Sequence, residues 1–258
     1  RVVVAMADPD PRVSGNGIER LRASGITVEV GLLESEARRL NAAYIHHRQT
    51  GKPFVLLKLA QTLDGQVATC TGQSQWITGR EARTRGYQMR GESDGVLVGV
   101  GTVLADDPEL TVRHVAGRQP RRIILDSASR TPVTARIFST GEAPPIIYVT
   151  DRAPHARRVA LHQKGAECVE LPGSEDGHVD LQALLEDLGQ RQIVTLMIEG
   201  GSQVTTAFLR EQEVHRIACF IAPKVLGTGL SAIGNLNIST VDNAITLRDI
   251  AIERTGDD

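Results

Sequence analysis

Short apolar runs alternate with amphipathic segments along most of the chain. From Phe54 onward, runs rich in Val, Ile and Leu predict strands at Phe54 to Ala60, Gly95 to Gly99, Arg122 to Asp126, Ile146 to Thr150, Glu167 to Leu171, Ile193 to Glu199, Arg216 to Ala222 and Thr246 to Arg254. Between them, helical patterns are read at Arg80 to Arg90, His155 to Lys164, Leu181 to Gly189 and Ser202 to Glu211. Strands alternating with helices imply an α/β domain with a mostly parallel sheet. Ligands are then expected where the strands' carboxyl ends open into loops.

Ahead of Phe54 the pattern is a β-α-β-α fragment. Residues 2 to 6 read as a strand, Pro9 to Gly17 as a turn-rich loop, Ile18 to Ala23 as a short helix, Ile26 to Leu32 as a strand and Glu34 to His47 as a helix. Leu33, Ala37, Leu40 and Tyr44 give that last helix one apolar stripe to bury. Arg48 to Pro53 reads as a linker. Two strands make a poor sheet, so this segment calls for more strands than it supplies. The opening Arg1-Val-Val-Val-Ala5 starts inside a core-like strand, which predicts a preceding segment.

Composition narrows the function classes. The 258 residues are 41% hydrophobic, enough for a sizeable core in one large or two small domains. A formal net charge of −2 argues against a nucleic-acid groove held by bulk electrostatics, and 3% aromatics leaves few stacking platforms for single strands. Small-molecule partners remain. Cys70, Cys168 and Cys219 lie far apart without metal-ligand spacing, which argues against zinc and fits a reducing cytoplasm. No apolar run reaches membrane-spanning length, and no signal-peptide pattern opens the chain.

Three stretches carry polar groups at strand ends. In Lys58-Leu-Ala-Gln-Thr-Leu-Asp64-Gly and the loop on to Ser74-Gln-Trp76-Ile-Thr78, Lys58 either meets a core carboxylate or serves as a cation or proton donor beside a carbonyl or imine. Glu199-Gly200-Gly201-Ser202 joins a strand to a helix. Its amides and helix dipole suit a pyrophosphate, a plain tight turn being the alternative, and Glu199 could hold a sugar hydroxyl. Gly99-Val-Gly101-Thr102 lacks the third glycine of a dinucleotide fingerprint, with Leu104 in its place. The following Asp106-Asp107-Pro108-Glu-Leu110-Thr111-Val-Arg113 sets acids near an arginine suited to phosphate, or else forms a capped turn with a solvated ion pair. Arg83 and Arg85 read as a solvated helix face, with Arg90 nearer the site.

Taken in order, Lys58-x-Ala60-x-x-Leu63-Asp64-Gly65, Gly72-x-Ser74-x-Trp76-Ile77-Thr78, Gly101-Thr102-Val103, Asp106-Asp107-Pro108-x-Leu110-Thr111-x-Arg113, Glu199-Gly200-Gly201 and Pro223-Lys224-x-Leu226-Gly227 closely resemble the reductase domain of the bifunctional riboflavin-biosynthesis deaminase/reductase family. The resemblance spans residues 54 to 256. It implies a dihydrofolate-reductase-like fold with a mixed, mostly parallel sheet over residues 53–258. Residues 1–52 resemble the tail of the family's deaminase domain, a cytidine-deaminase-like α/β fragment that lacks the zinc motifs His-x-Glu and Pro-Cys-x-x-Cys. No zinc is expected in this chain.

The implied reaction is NADPH-dependent reduction of the ribosyl group of 5-amino-6-(5-phosphoribosylamino)uracil to a ribityl chain. Carried over by position, Ala60, Trp76, Thr102, Asp106, Ser127 and the run Gly201, Ser202, Gln203, Val204, Thr205, Thr206 and Ala207 look like cofactor contacts. Ser74, Arg90, Leu110, Arg113 and Glu199 look like substrate contacts, and Lys58 with Glu199 are the candidate catalytic residues. The resemblance also implies a homodimer or higher homo-oligomer, and a final strand running beyond Gly256-Asp257-Asp258. A pterin reductase on the same fold and a non-catalytic nucleotide-binding module are the alternatives.

Overall fold

A computed structural model of the chain describes residues 1–139 and 142–258. Its backbone divides into two units, Arg1–Phe54 with Leu185–Thr195, and Val55–Leu184 with Leu196–Asp258.

In the first unit, β1 (Val2–Val4) and β2 (Val28–Val30) pair in parallel around α1 (Asn16–Ala23). The helix expected over Glu34 to His47 is two helices, α2 (Glu34–Leu40) and α3 (Ala42–Thr50). Asn41 makes the break, because its Nδ2 donates to the Ala37 carbonyl at 2.8 Å and satisfies the end of α2 locally. The expected apolar stripe is split with it, and Leu33 and Leu40 are 63% and 87% exposed. The expected linker from Arg48 begins inside α3, which stops where Gly51 turns left-handed at φ 73°.

The second unit is built on a seven-stranded sheet. Its strands are β3 (Phe54–Thr62), β5 (Gly95–Gly99), β6 (Arg121–Leu125), β7 (Ile146–Val149), β8 (Glu167–Glu170), β9 (Thr195–Glu199) and β10 (Arg216–Ala222), in the order β10-β3-β9-β5-β6-β7-β8. The pairs β10–β3, β9–β5, β5–β6, β6–β7 and β7–β8 are parallel. Every residue of β5 and of β7 is buried, as a parallel sheet covered on both faces requires, and their Val and Ile content suits that environment. Val96, Val98, Ile124, Ile147, Val149 and Leu161 form one core cluster.

The helices of this unit are α4 (Arg80–Glu92), α5 (Val100–Asp106), α6 (His155–Gln163), α7 (Leu181–Gln190, which continues into the first unit) and α8 (Ser202–Arg210). Two features escape the apolar pattern: α5, only seven residues long, and an antiparallel ribbon of β4 (Gln66–Thr69) with β11 (Gly229–Ser231). One expected strand is absent. Thr246 to Arg254 finds no ladder partner among the described residues and runs as exposed chain, with Ile250 and Ile252 74% and 93% exposed. Beyond it, the Asp258 carboxylate accepts from the Gly79 amide, 2.7 Å away, at the start of α4.

Candidate active site

Because β9, β5 and β6 run parallel, their carboxyl ends open at one edge of the sheet, and the loops that follow them carry most of the candidate residues. Glu199 ends β9 and meets Arg90 of α4. The guanidinium donates from Nε to Oε1 at 2.5 Å and from Nη2 to Oε2 at 2.6 Å, with both side chains largely buried. This two-point geometry suits Arg and not Lys. Nη1 of the same guanidinium donates to the Thr111 carbonyl at 3.0 Å, tying α4 to the loop after α5.

Lys58, from β3, shares this environment. Burial pulls its pKa below the ordinary lysine value, the nearby Glu199 carboxylate opposes that, and Arg90 adds to it. For Glu199, burial pushes the carboxyl up, but Arg90 and then Lys58 outweigh it and hold the group below its usual range. A cation made easier to deprotonate thus stands near a carboxylate held ionised. Such opposed environments are found where proton transfer is needed.

The arginine intended for phosphate sits beside this pair. Arg113 donates to Glu109 Oε2 and to the Tyr87 hydroxyl, both at 3.0 Å. The Tyr87 ring is close to both arginines, 5.2 Å from the Arg90 guanidinium carbon and 5.4 Å from that of Arg113. Tyr87 was not among the sequence candidates. Its position three residues before Arg90 on one helix is the signal that could have found it. Glu109 also pairs with Arg136, and the Asp107 carboxylate accepts from the Arg136 amide at 2.8 Å, so the acids of the Asp-Asp-Pro-Glu string serve structure as well as charge.

The cofactor candidates gather around two glycine turns. Gly200 and Gly201 both have φ 81°, and a Cβ on Gly201 would stand 3.3 Å from the Thr102 hydroxyl. Val204, in the first turns of α8, packs against Gly99, where a Cβ would come within 2.7 Å of its Cγ2. Ser202 and Ala207 are half-buried and Gln203 is exposed. Thr205 and Thr206 turn into the core, and the Thr206 hydroxyl already bridges the Ser202 carbonyl and the Gly234 amide. Ser127 follows β6, and its hydroxyl accepts from the Val179 amide at 3.2 Å. Ser74 reaches Asp106 at 3.5 Å, linking a substrate candidate to a cofactor candidate. Leu110 is buried in the core at φ 54°, which leaves its backbone as the group able to face a ligand. Ala60 lies in β3 opposite Phe220 of β10.

Trp76 is 62% exposed, with the Arg83 guanidinium carbon 4.4 Å from its ring centroid. Arg83 also donates to the Thr78 carbonyl at 2.7 Å. The solvated face expected for Arg83 is therefore corrected: the loop folds back over α4 and recruits that side chain. Arg85 is exposed and pairs with Glu92. Among the described residues, no group of three or more His, Cys, Asp or Glu is placed to hold a metal ion, and no helix is long and apolar enough to cross a membrane.

Comparison with known proteins places the chain in a family. The family described as the RibD C-terminal domain matches residues 53–258. The riboflavin biosynthesis protein RibD of Aquifex aeolicus is 44% identical over 259 residues, covering all of this chain and 70% of the relative. Among solved structures, RibD of Acinetobacter baumannii superposes with a TM-score of 0.85 at 33% identity, over 99% of this chain and 70% of that one. The diaminohydroxyphosphoribosylaminopyrimidine deaminase/5-amino-6-(5-phosphoribosylamino)uracil reductase of Thermotoga maritima gives 0.83 at 33%, over 100% of this chain and 69% of that one. The chain therefore belongs to the RibD family, carries its reductase domain in a dihydrofolate-reductase-like α/β fold, and is an oxidoreductase of riboflavin biosynthesis.

Proposed function

We propose that the reductant is NADPH and that the substrate is 5-amino-6-(5-phosphoribosylamino)uracil, reduced at its ribosyl group. The observation that carries this is the Arg90–Glu199 pair beside Lys58. Opening a ribosylamine to a ribityl chain adds a hydride at the sugar carbon next to nitrogen and a proton on the ring oxygen. Lys58, its pKa lowered, is the proton donor, and Glu199 accepts from sugar hydroxyls while keeping the ammonium charged. Arg113 and Arg90, aligned by Tyr87, receive the phosphate, with Ser74 and the Leu110 backbone closing the substrate side.

The chain fits a nicotinamide dinucleotide at the two glycine turns. A Cβ at Gly201 would fill the gap before Thr102, and no side chain caps the start of α8, whose helix dipole suits a pyrophosphate. Ala60, Trp76, Thr102, Asp106, Ser127 and, from the run Gly201 to Ala207, the residues other than the core-facing Thr205 and Thr206 would hold it, and bound there it supplies the hydride. Residues 1–52 are read as the deaminase-domain tail. The edge strand β10 and the exposed Val241, Ile250 and Ile252 support a homo-oligomer, and the three separate thiols support a cytoplasmic location.

The test is a steady-state assay of the purified chain with NADPH and the phosphoribosylamino-pyrimidine. The expected outcome is loss of nicotinamide absorbance only when both are present, with NADH a poorer donor and dihydrofolate inert. Turnover with dihydrofolate instead would overturn the reading.

A further inference from the structure

Two of the motifs quoted above, Leu63-Asp64-Gly65 and Pro223-Lys224-x-Leu226-Gly227, have no part in the chemistry just described. In the structure they form one device. Lys224, in the loop after β10, sends its ammonium to two successive carbonyls of the tryptophan loop, Trp76 O at 2.8 Å and Ile77 O at 2.7 Å. The backbone of the same residue is pinned from the other side, its carbonyl accepting from the Leu63 amide at 2.9 Å. Asp64 completes the hold: its carboxylate accepts from the Gly227 amide at 2.6 Å, from the Leu226 amide at 3.1 Å and from the Thr62 hydroxyl at 2.6 Å. The loop after β10 is thus joined to two segments near the end of β3, 148 and 163 positions away, through two charged side chains.

We infer that Lys224, itself fixed by Asp64, is a positioning residue that holds the Trp76 loop in its binding-competent arrangement for the nicotinamide cofactor. The inference rests on the reading of Trp76 as a cofactor contact. An indole 62% exposed has little packing of its own to keep it in place, and Arg83 stacks against the ring without holding the backbone of Trp76 or Ile77. The ammonium supplies what is missing. It binds the two carbonyls that set the direction of the peptide carrying the ring. When a loop must be ordered at the moment of binding, the ordering cost is subtracted from affinity, so a pre-set loop binds tighter at equal contacts.

The chain carries its own probe, because Trp76 is its only tryptophan. Lys224→Met removes the donor at similar length, Lys224→Arg restores a cation with several donors, and Trp76→Phe calibrates the ring's own contribution. All are made in the full chain. In Lys224→Met the expected result is lower tryptophan emission anisotropy without ligand, an NADPH KM raised about three- to tenfold, and a smaller change in kcat. Lys224→Arg is expected to recover most of both effects, and Asp64→Asn to shift both in the same direction as Lys224→Met. Melting curves matching the parent exclude general unfolding as the cause. Parent-like anisotropy and KM in Lys224→Met overturn the inference, as does lowered anisotropy with an unchanged KM. If Trp76→Phe itself leaves the NADPH KM unmoved, the cofactor reading of Trp76 is what fails, and the anisotropy still reports whether Lys224 orders the loop.

Discussion

Arg90 and Glu199 stand 109 positions apart and meet through two hydrogen bonds of 2.5 and 2.6 Å at the mouth of the sheet. Each charge offsets part of the other's desolvation cost, through paired donors and acceptors in a site only 14% and 12% exposed. The relationship therefore both builds the site and limits it. A substrate phosphate or hydroxyl entering here must share a guanidinium or a carboxylate that already has a partner.

Removing one member leaves the other buried and unpaired. Glu199→Gln and Arg90→Met are each expected to destabilise the fold by about 3–5 kcal/mol, and the double variant by much less than their sum. Urea titrations of the four proteins give the coupling directly. Strictly additive losses would show that the two-point contact contributes nothing of its own.

With Lys58 as the proposed proton donor, its state sets the alkaline side of the rate. Burial places its pKa below the ordinary 10.5, so a lysine acting as proton donor makes kcat fall with rising pH before that value is reached. Glu199 holds this pKa up and Arg90 holds it down. Glu199→Gln should move the falling limb to lower pH and Arg90→Met to higher pH, while Lys58→Met removes the limb along with most turnover. A limb insensitive to both neighbours assigns it to another group.

How far this site was legible depended on the range over which each feature is encoded. Period-two and continuous apolar patterns are local, and Gly95–Gly99 and Arg216–Ala222 appear as strands with the bounds their composition predicts. The need for glycine at 200 and 201 was equally local, and both have positive φ. Contacts across the fold were not. Nothing near Arg90 announces Glu199, and nothing near Lys224 announces Trp76. The single helix expected over Glu34 to His47 breaks because the Asn41 side chain competes for a helix-end carbonyl inside a continuous helical pattern, and Thr246 to Arg254 is no strand because alternation makes one only where a partner exists.

Acid should weaken the fold through Glu199 in particular. Its folded pKa lies below the ordinary 4.5, because Arg90 and Lys58 outweigh burial, so its stabilising contribution is complete above pH 4.5. That contribution is lost as pH falls from 4.5 through the lowered folded value. Stability measured from neutral pH downward should drop more steeply for the parent than for Glu199→Gln, the two curves converging in acid. Parallel curves would mean that the carboxyl titrates alike in the folded and unfolded chain.

The cofactor cradle proposed at the Gly201 turn depends on a missing side chain one strand away. Gly99 ends β5 with φ −82° and ψ 158°, angles open to any residue, so its constraint is space and not backbone strain. A Cβ there would stand 2.7 Å from Val204 Cγ2, closer than packed carbons approach, and something must move. Val204 is β-branched and stiff about χ1 within a helix, so the strain is expected to pass to α8 and with it to the Gly201 turn that faces Thr102. Gly99→Ala should therefore cost about 1–3 kcal/mol by overpacking and also weaken NADPH binding. Val204→Ala opens the space the new methyl needs, so the double variant should regain both stability and affinity relative to Gly99→Ala alone. Denaturant titration and cofactor binding on the same four proteins decide the matter: if Val204→Ala rescues neither quantity, the close approach of β5 and α8 is not what shapes the cradle.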